Sequence, residues 1–195
     1  MINHIKKTRL AGMLALVAFV LSGCGSIPGD TKAEQVETID SLVDRTLADL
    51  YKQDSATEEE VAHSVGYIIM HNKITKVPMV GAGAGYGVAI ETKTQKRTYL
   101  HMARFDVGGG WGARSLRPVL IFQKKDVFDD FINGKWEAQA GAEMAAKVGE
   151  TGAAGGGGSS DLPDQGYTIH MITDAGVSAS VTAGILRVKP IKLKE

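Results

Sequence analysis

The chain has 195 residues with 22 basic and 22 acidic side chains, so its formal net charge at neutral pH is zero. Its single cysteine excludes an internal disulfide and a cysteine-based metal site, so apolar burial and backbone pairing must stabilise the fold. The charge is unevenly distributed: residues 30–60 hold ten acidic and three basic side chains, whereas residues 93–125 hold eight basic and one acidic. This asymmetry indicates either a charged partner or an internal pairing of the two segments.

The first two dozen residues have the parts of a secretory signal. Basic residues at positions 6–9 precede an apolar run over 10–20, which is shorter than the roughly 20 residues of a transmembrane helix. Residues 21–24 read Leu-Ser-Gly-Cys and resemble the lipobox of bacterial lipoproteins, in which the cysteine is acylated and the chain is cut before it. The resemblance implies that residues 1–23 are removed and that Cys24 becomes a lipidated N-terminus. Several acyl chains there, each contributing about 0.8 kcal/mol per buried CH₂, would anchor the protein permanently.

The residue after the lipidated position indicates the destination. Gly25, in place of aspartate, is typical of lipoproteins sorted to the outer membrane, here at its periplasmic face. The alternative is a plain secretory signal with a chance cysteine, which would leave a free thiol in an oxidising compartment. The roughly 170 residues that remain after cleavage suit one domain. The expected organisation is therefore a lipidated tether over 24–31 and one domain over 32–195.

Two helices are predicted at the start of this domain. Apolar residues recur every three or four positions from Val36 to Leu50, which is the pattern of an amphipathic helix. The segment 57–60, Thr-Glu-Glu-Glu, has the composition of a capping box and predicts a second, shorter helix. In that box Thr57 and Glu60 would satisfy free backbone amides.

From residue 65 onward the pattern changes to strands. Residues 65–70 are predicted to form a buried strand, followed by a loop through Asn72 and Pro78. Glycine then occupies every second position from Gly81 to Gly87, which leaves one face of a strand bare. Further predictions are a strand over 97–105, a bulge, a bend or a second close-packed strand at 108–112, a strand over 119–122 and a helix over 126–132. Residues 136–148 favour a strand, with a helix as the alternative because they are rich in alanine. A mobile loop over 152–166 and strands over 167–173 and 177–185 follow.

Two or three helices with six or seven short strands predict an α+β domain. In it, N-terminal helices pack on a curved, glycine-rich antiparallel sheet or a barrel-like sheet. Trp111, which lies between glycines, is expected in the core of this sheet, with an interfacial anchor as the alternative.

The order of these segments resembles the SYLF domain, a lipid-binding module of bacterial lipoproteins and of eukaryotic actin-associated and endosomal proteins. The resemblance covers residues 48–188. It rests on Leu50-Tyr51, the strand over 65–70, the glycine run over 81–87 with Tyr86, the glycines of 108–112, the apolar run over 119–122 and the helix through Phe131. Family members usually continue the first strand with Val-Phe-Pro and Lys-Ala-Gly-Phe, where this chain has Ile-Met-His at 69–71 and Lys-Val-Pro-Met at 76–79. Since eukaryotic members bind phosphoinositides, which most bacteria do not use as signals, the resemblance implies anionic-lipid binding in general.

The basic segment is the candidate site for lipid headgroups, because a cationic side chain near an anionic bilayer contributes about 1 kcal/mol. Its members are Lys93, Lys96, Arg97, Arg104, Arg114, Arg117, Lys124 and Lys125. The alternative is that strand alternation divides them between two faces and that some neutralise the acidic helix.

Motifs for catalysis are not apparent in the sequence. It contains neither Ser-x-x-Lys nor Gly-x-Ser-x-Gly, and its histidines do not have the His-Glu-x-x-His spacing of a zinc site. The sequence therefore predicts a non-enzymatic lipoprotein that binds anionic phospholipid or a lipid-like ligand at a bilayer surface. No cofactor, metal or nucleic-acid partner is expected. The alternative is an envelope scaffold that contacts proteins through a sheet edge or the acidic helix.

Overall fold

A computed structural model describes residues 26–108, 110–133, 166–180 and 183–195. The elements are α1 (Lys32–Gln53), α2 (Ala56–His63), β1 (Gly66–Val77), β2 (Met79–Glu91), β3 (Arg97–Gly108), β4 (Gly110–Phe122), α3 (Lys125–Ile132), β5 (Tyr167–Ser180) and β6 (Ala183–Pro190). The predicted signal segment with Cys24, the predicted strand over 136–148 and the predicted loop up to residue 165 lie outside the described residues.

The described strands form one antiparallel sheet in the order β5-β4-β1-β2-β3-β6. The sheet is not closed, so the predicted α+β fold on an antiparallel sheet is confirmed in its open form. The β1–β2 and β3–β4 connections lie side by side, because Val77 pairs with Val80 and Met79 pairs with Gly108. We call this edge the hairpin end of the sheet.

Helix α1 forms where the apolar stripe predicts it, and Ile39, Leu42 and Leu50 are buried along it. Its first turn contains a capping box that the sequence analysis missed. The Thr31 hydroxyl accepts a hydrogen bond from the Glu34 amide, and the Glu34 carboxylate accepts one from the Thr31 amide, each at 3.3 Å. The domain therefore begins with a stabilised helix end at residue 31.

The capping box predicted at 57–60 is wrong, although the second helix exists. Helix α2 begins at Ala56, and the Thr57 hydroxyl donates to the carbonyl oxygen of Asp54 at 2.6 Å. The Glu60 carboxylate instead contacts Thr168 and His170 of β5. A tertiary partner on the sheet thus replaces the local backbone amide as the hydrogen-bond partner of Glu60.

Strand β1 continues through the segment predicted as a loop after residue 70. Burial alternates there, because Asn72 and Ile74 are buried whereas Lys73 and Thr75 are exposed. Because β1 pairs with β2 on one side and with β4 on the other, its polar residues lie within a complete ladder of backbone pairs. The loop prediction is therefore wrong, and the turn is confined to Pro78.

The strand predicted over 177–185 is divided between two elements. Its first half completes β5 and its second half begins β6, which pairs with β3 on the other edge of the sheet. The alternation of apolar and polar residues continues in the sequence from the end of β5 at Ser180 to the start of β6 at Ala183, so the two strands look like one long strand. The sequence period therefore could not show where β5 ends.

The two faces of the sheet carry separate cores. On the α1 face, helix residues pack against alternate strand residues such as Ile69, Val88 and Val119. On the opposite α3 face, Phe128 and Phe131 pack around Phe122, with ring centroids 5.4 and 5.6 Å from it. Because successive side chains of a strand point to opposite faces, the parity of a residue, that is, whether its number is odd or even, decides whether it faces α1 or α3.

The glycines of β2 allow its backbone to lie unusually close to the backbone of the neighbouring strand β1. A Cβ on Gly85 would lie closer than 3.0 Å to the carbonyl oxygen of His71, a separation that real Cβ atoms essentially never show. A Cβ on Gly83 would meet the Ile74 side chain and the Lys73 carbonyl oxygen, each at 3.1 Å, a tight contact that shifts of a few tenths of an ångström relieve. The strand spacing thus requires glycine at 85 more strictly than at 83.

We predict that Gly85→Ala lowers the free energy of unfolding by about 2 kcal/mol, because the methyl group must push two backbones apart. Gly83→Ala serves as the matched control and should stay within about 1 kcal/mol of the parent, since the lost backbone freedom of alanine offsets a mild clash. Urea unfolding measures both. Equal losses for the two variants would contradict the role assigned to Gly85.

Candidate functional site

Two of the eight predicted headgroup-binding cations point toward α1. Arg97 of β3 forms an ion pair with Asp40, and Arg117 of β4 forms one with Asp49. Both aspartates belong to the acidic helix. The internal pairing that the sequence offered as an alternative is therefore formed at these two positions.

Arg117 is the more buried of the two, with 6% of its side chain exposed. Its Nη2 lies 2.6 Å from Asp49 and 2.5 Å from Asp174, and its Nη1 donates to the Thr46 hydroxyl at 3.1 Å. Burial lowers the pKa of the guanidinium, but the hydrogen bonds to Asp174 and Asp49 outweigh that effect and raise the pKa above its usual value. Asp174 is the extra residue of a β-bulge in β5, which places its carboxylate between the strands and the helix.

We predict that Arg117→Ala costs about 3 kcal/mol of unfolding free energy, since it removes a nearly buried cation from between two carboxylates and leaves the buried Thr46 hydroxyl without that partner. Arg97→Ala should cost less than about 1 kcal/mol, because that pair is partly exposed and screened by solvent. Thermal and urea unfolding of the two variants provide the comparison. Similar losses of unfolding free energy in both variants would show that the greater burial of Arg117 does not make its ion pairs more important than that of Arg97.

The remaining arginines of the basic segment do not join these two. Arg104 is buried on the α3 face, where its parity matches that of Leu100 and Met102. Arg114 pairs in register with Ile74. Arg104 is therefore on the opposite side of the sheet from Arg97 and Arg117.

The four lysines of the segment lie at the end of the sheet opposite the hairpin end. Lys93 and Lys96 are exposed in the turn between β2 and β3. Lys124 and Lys125 flank the start of α3, where the Lys125 ammonium lies 2.5 Å from Asp129. The structure thus does not bring the eight predicted residues together on one surface.

A different surface emerges at the hairpin end, on the α1 face beyond the reach of α1. Val77, Val80, Phe105 and Trp111 are exposed there by 53%, 42%, 53% and 63%. Their parity matches that of Tyr67, Val88, Tyr99 and Val119, which all pack on the α1 side. With the exposed alanines Ala82, Ala103 and Ala113 between them, they form what we call the distal surface.

The distal surface is continuous across four neighbouring strands. Phe105 pairs with Ala82, Ala82 with Thr75, and Thr75 with Ala113. Strand spacing makes this row about 15 Å wide. Among the described residues, every large exposed apolar side chain lies at the hairpin end, including Met79 at the start of β2.

Trp111 is the clearest difference between the sequence prediction and the structure. The expectation that it lies in the core is wrong, because 63% of its surface is exposed at the hairpin end. The glycines around it were the available signal, since they place the tryptophan at a strand end and not in a sheet interior. Phe105 gave no such signal, because its exposure depends on where α1 stops.

Charged and titratable groups border the distal surface where it meets α1. Lys73 is exposed on β1, and Arg45 is exposed on α1. The His71 ring packs at a tilt beside Tyr86 with centroids 5.5 Å apart, and its Nδ1 lies 3.8 Å from the Asp174 carboxylate. Burial, with a further contribution from the Arg45 charge, lowers the pKa of His71, and Asp174 offsets part of this.

The lowered pKa of His71 makes stability depend on pH. The unfolded chain takes up the proton first as pH falls, so the contribution of neutral His71 is complete above about pH 6.5 and is lost as the solution becomes more acidic. We expect His71→Asn to flatten the fall in unfolding free energy below that pH. His101, whose pKa burial also lowers, supplies part of the remaining slope.

Urea titrations at a series of pH values measure this effect, with His63→Asn, at an exposed position, as control. An unchanged slope in His71→Asn would contradict the assignment.

Two further features of the described residues bear on the kind of site. No helix in this part of the chain combines the length and apolar character needed to cross a membrane. The same residues contain no group of three or more histidine, cysteine, aspartate or glutamate side chains placed to hold a metal ion.

The fold and surface define an α+β domain with an exposed apolar sheet face. No family model matches the chain. The chain is similar to Beta cell expansion factor A of Aeromonas veronii, with 27% identity over 116 residues. The match covers 60% of this chain and 44% of that relative, so the chain spans less than half of the relative's length. This indicates a distant homologue, and the SYLF resemblance stays a prediction.

Proposed function

We propose that this protein is a membrane-anchored lipoprotein of the outer membrane, facing the periplasm, whose SYLF-like domain binds anionic phospholipid or a similar lipid without catalysing a reaction. The observation that carries the proposal is the distal surface, where exposed valine, phenylalanine and tryptophan side chains form one apolar sheet face. Contiguous exposed apolar patches mark interaction sites. An aromatic ring with a polar edge, such as the Trp111 indole, suits the boundary between lipid tails and water.

The size of the distal surface favours lipid over a protein partner. Four strands about 4.8 Å apart and three same-face rows about 6.6 Å apart cover on the order of 400 Å². A specific protein interface needs about 800 Å² on each partner. The envelope-scaffold alternative would therefore require much additional surface, whereas insertion among lipid tails requires none.

The strength of the contact follows from the same residues. Fully burying a large apolar side chain contributes roughly 1.5–3 kcal/mol, so four that are half exposed contribute on the order of 4 kcal/mol. This corresponds to about millimolar affinity before the cost of association. The distal surface is therefore effective when acylation of Cys24 already holds the domain at the bilayer.

A preference for anionic lipid would come from exposed cations beside the distal surface, which include Arg187 of β6, paired in register with Ala103. Lys73 lies on β1 four residues before Val77, on the same face of the strand. Arg45 lies on the part of α1 whose charge acts on His71, two residues before Lys73. Each such cation contributes about 1 kcal/mol near an anionic surface. The lysines of the predicted basic segment lie at the other end of the sheet.

Flotation with liposomes tests which surface binds. The protein would be a chain starting at residue 24 and carrying Cys24→Ser, so that no acyl chain contributes. Phe105→Ser combined with Trp111→Ser should weaken binding to anionic vesicles about thirtyfold, because roughly half of the apolar contribution, about 2 kcal/mol, is lost. Lys93→Gln combined with Lys96→Gln is the matched control in the predicted basic segment and should leave recovery nearly unchanged.

The two pairs of substitutions separate the candidate sites. If the double lysine variant loses binding and the Phe105→Ser, Trp111→Ser variant keeps it, the headgroup site lies in the predicted basic segment and not at the distal surface. Equal recovery of the parent with neutral and anionic vesicles at low salt would count against anionic-lipid binding.

A further inference from the structure

The segment predicted as a lipidated tether is packed onto the domain as far as the structure describes it. Ile27 is 2% exposed and belongs to the core of the α1 face. Ile191 and Leu193, which follow β6, pack against the same core. The part of the predicted tether from Ile27 to Thr31 is therefore not a free linker.

Gln35 of α1 joins the two chain segments. Its side-chain amide donates to the carbonyl oxygen of Ile27 at 3.0 Å, and its side-chain oxygen accepts from the backbone amide of Lys194 at 2.9 Å. The Lys194 ammonium in turn donates to the carbonyl oxygen of Gly29 at 2.9 Å. Because Gln35 is itself buried, its hydrogen bond to Ile27 is protected from water and its bond to the Lys194 amide is partly so. We call residues 26–32 and 191–195, held in this way, the terminal corner.

The docking of Ile27 limits how far the domain can move from an acylated Cys24. Ile27 follows Cys24 by three positions in the sequence, and three extended residue steps span at most about 10 Å. We infer that the terminal corner is a bilayer-facing surface, which rests on the headgroup layer of the membrane that holds the acyl chains. This inference rests on the proposed acylation of Cys24.

The terminal corner and the adjoining first turns of α1 hold three basic and four acidic side chains, so this surface carries no net positive charge. Asp30 lies 3.5 Å from the Lys194 ammonium, and the Glu34 carboxylate accepts hydrogen bonds from the Asp30 and Thr31 amides. Lys32 and Lys192 are exposed, as are Glu37 and Glu195. The short linker, and not a net positive charge, therefore holds this surface against the headgroups, so the contact should persist at high salt.

The position of the corner also brings the distal surface within reach of the same bilayer. Tyr99 packs in the core that contains Ile27, and Phe105 lies six residues further along β3 on the same face. The rise along a strand makes that separation about 20 Å. A domain held by a linker of about 10 Å at one end can lower its other end to the membrane.

Quenching by headgroup-labelled lipid tests the inference on the full-length acylated protein in vesicles. Lys192→Cys carries a fluorophore in the terminal corner, and Gln53→Cys carries it at the far end of α1, about 30 Å along the helix axis. Quenching at 192 should be several-fold stronger than at 53, at low and at high salt alike. Equal quenching at the two positions on vesicle-bound protein would overturn the inference.

Gln35→Ala removes the connection between the two segments, and Gln53→Ala on the same helix is its matched control. In the Cys24→Ser chain, Gln35→Ala should speed hydrogen exchange of the Lys194 amide, which loses its acceptor. In the acylated chain it should reduce quenching at 192. Unchanged quenching in Gln35→Ala would show that the packing of residues 27–31 on the domain does not determine how close the terminal corner lies to the bilayer.

The failure of the inference can be told apart from failure of the proposed function. If the full-length protein carries no acyl chain and does not partition with vesicles, the proposed anchor fails and the inference fails with it. If the protein is acylated and partitions but the corner lies away from the headgroups, the inference alone fails.

Discussion

The packing of α1 on the sheet depends on the charge of Arg117, which is almost completely removed from water. A buried guanidinium is tolerated only when several acceptors surround it, and Asp49, Thr46 and Asp174 supply them from the helix and from β5. These contacts determine where the last turns of α1 lie and therefore how much of the sheet the helix covers. They also account for part of the charge asymmetry along the chain, because an acidic helix meets cations of the strands.

The uncovered part of the same face is the distal surface. Helix α1 crosses the sheet from the terminal corner to the row that contains Arg117, and beyond that row the alternating residues continue toward the hairpin end without a helix above them. Side chains that would form core beneath a longer helix are exposed in this domain. The proposed lipid contact and the fold thus have one origin, namely a helix that stops short of a longer sheet.

Local sequence patterns predicted much of the fold because their causes are local. The stripe from Val36 to Leu50 could bury its apolar side only as a helix, and the glycines from 81 to 87 could lie side by side only on one face of a strand. The predictions failed where a distant partner changed the outcome. Glu60 pairs with β5 instead of capping α2, and Asn72 lies within a strand because β2 and β4 complete its backbone pairing.

The sequence by itself determined the kinds of element, their order, the two-face alternation of the strands and the resemblance of residues 21–24 to a lipidation signal. Each of these follows from neighbours along the chain. The tertiary structure alone decided that the basic residues divide between two faces, that Trp111 is exposed, and that Ile27 is docked by Gln35 beside the segment after β6. Those outcomes depend on the register of strands and on where a helix ends in space, and residues far apart in the chain set both.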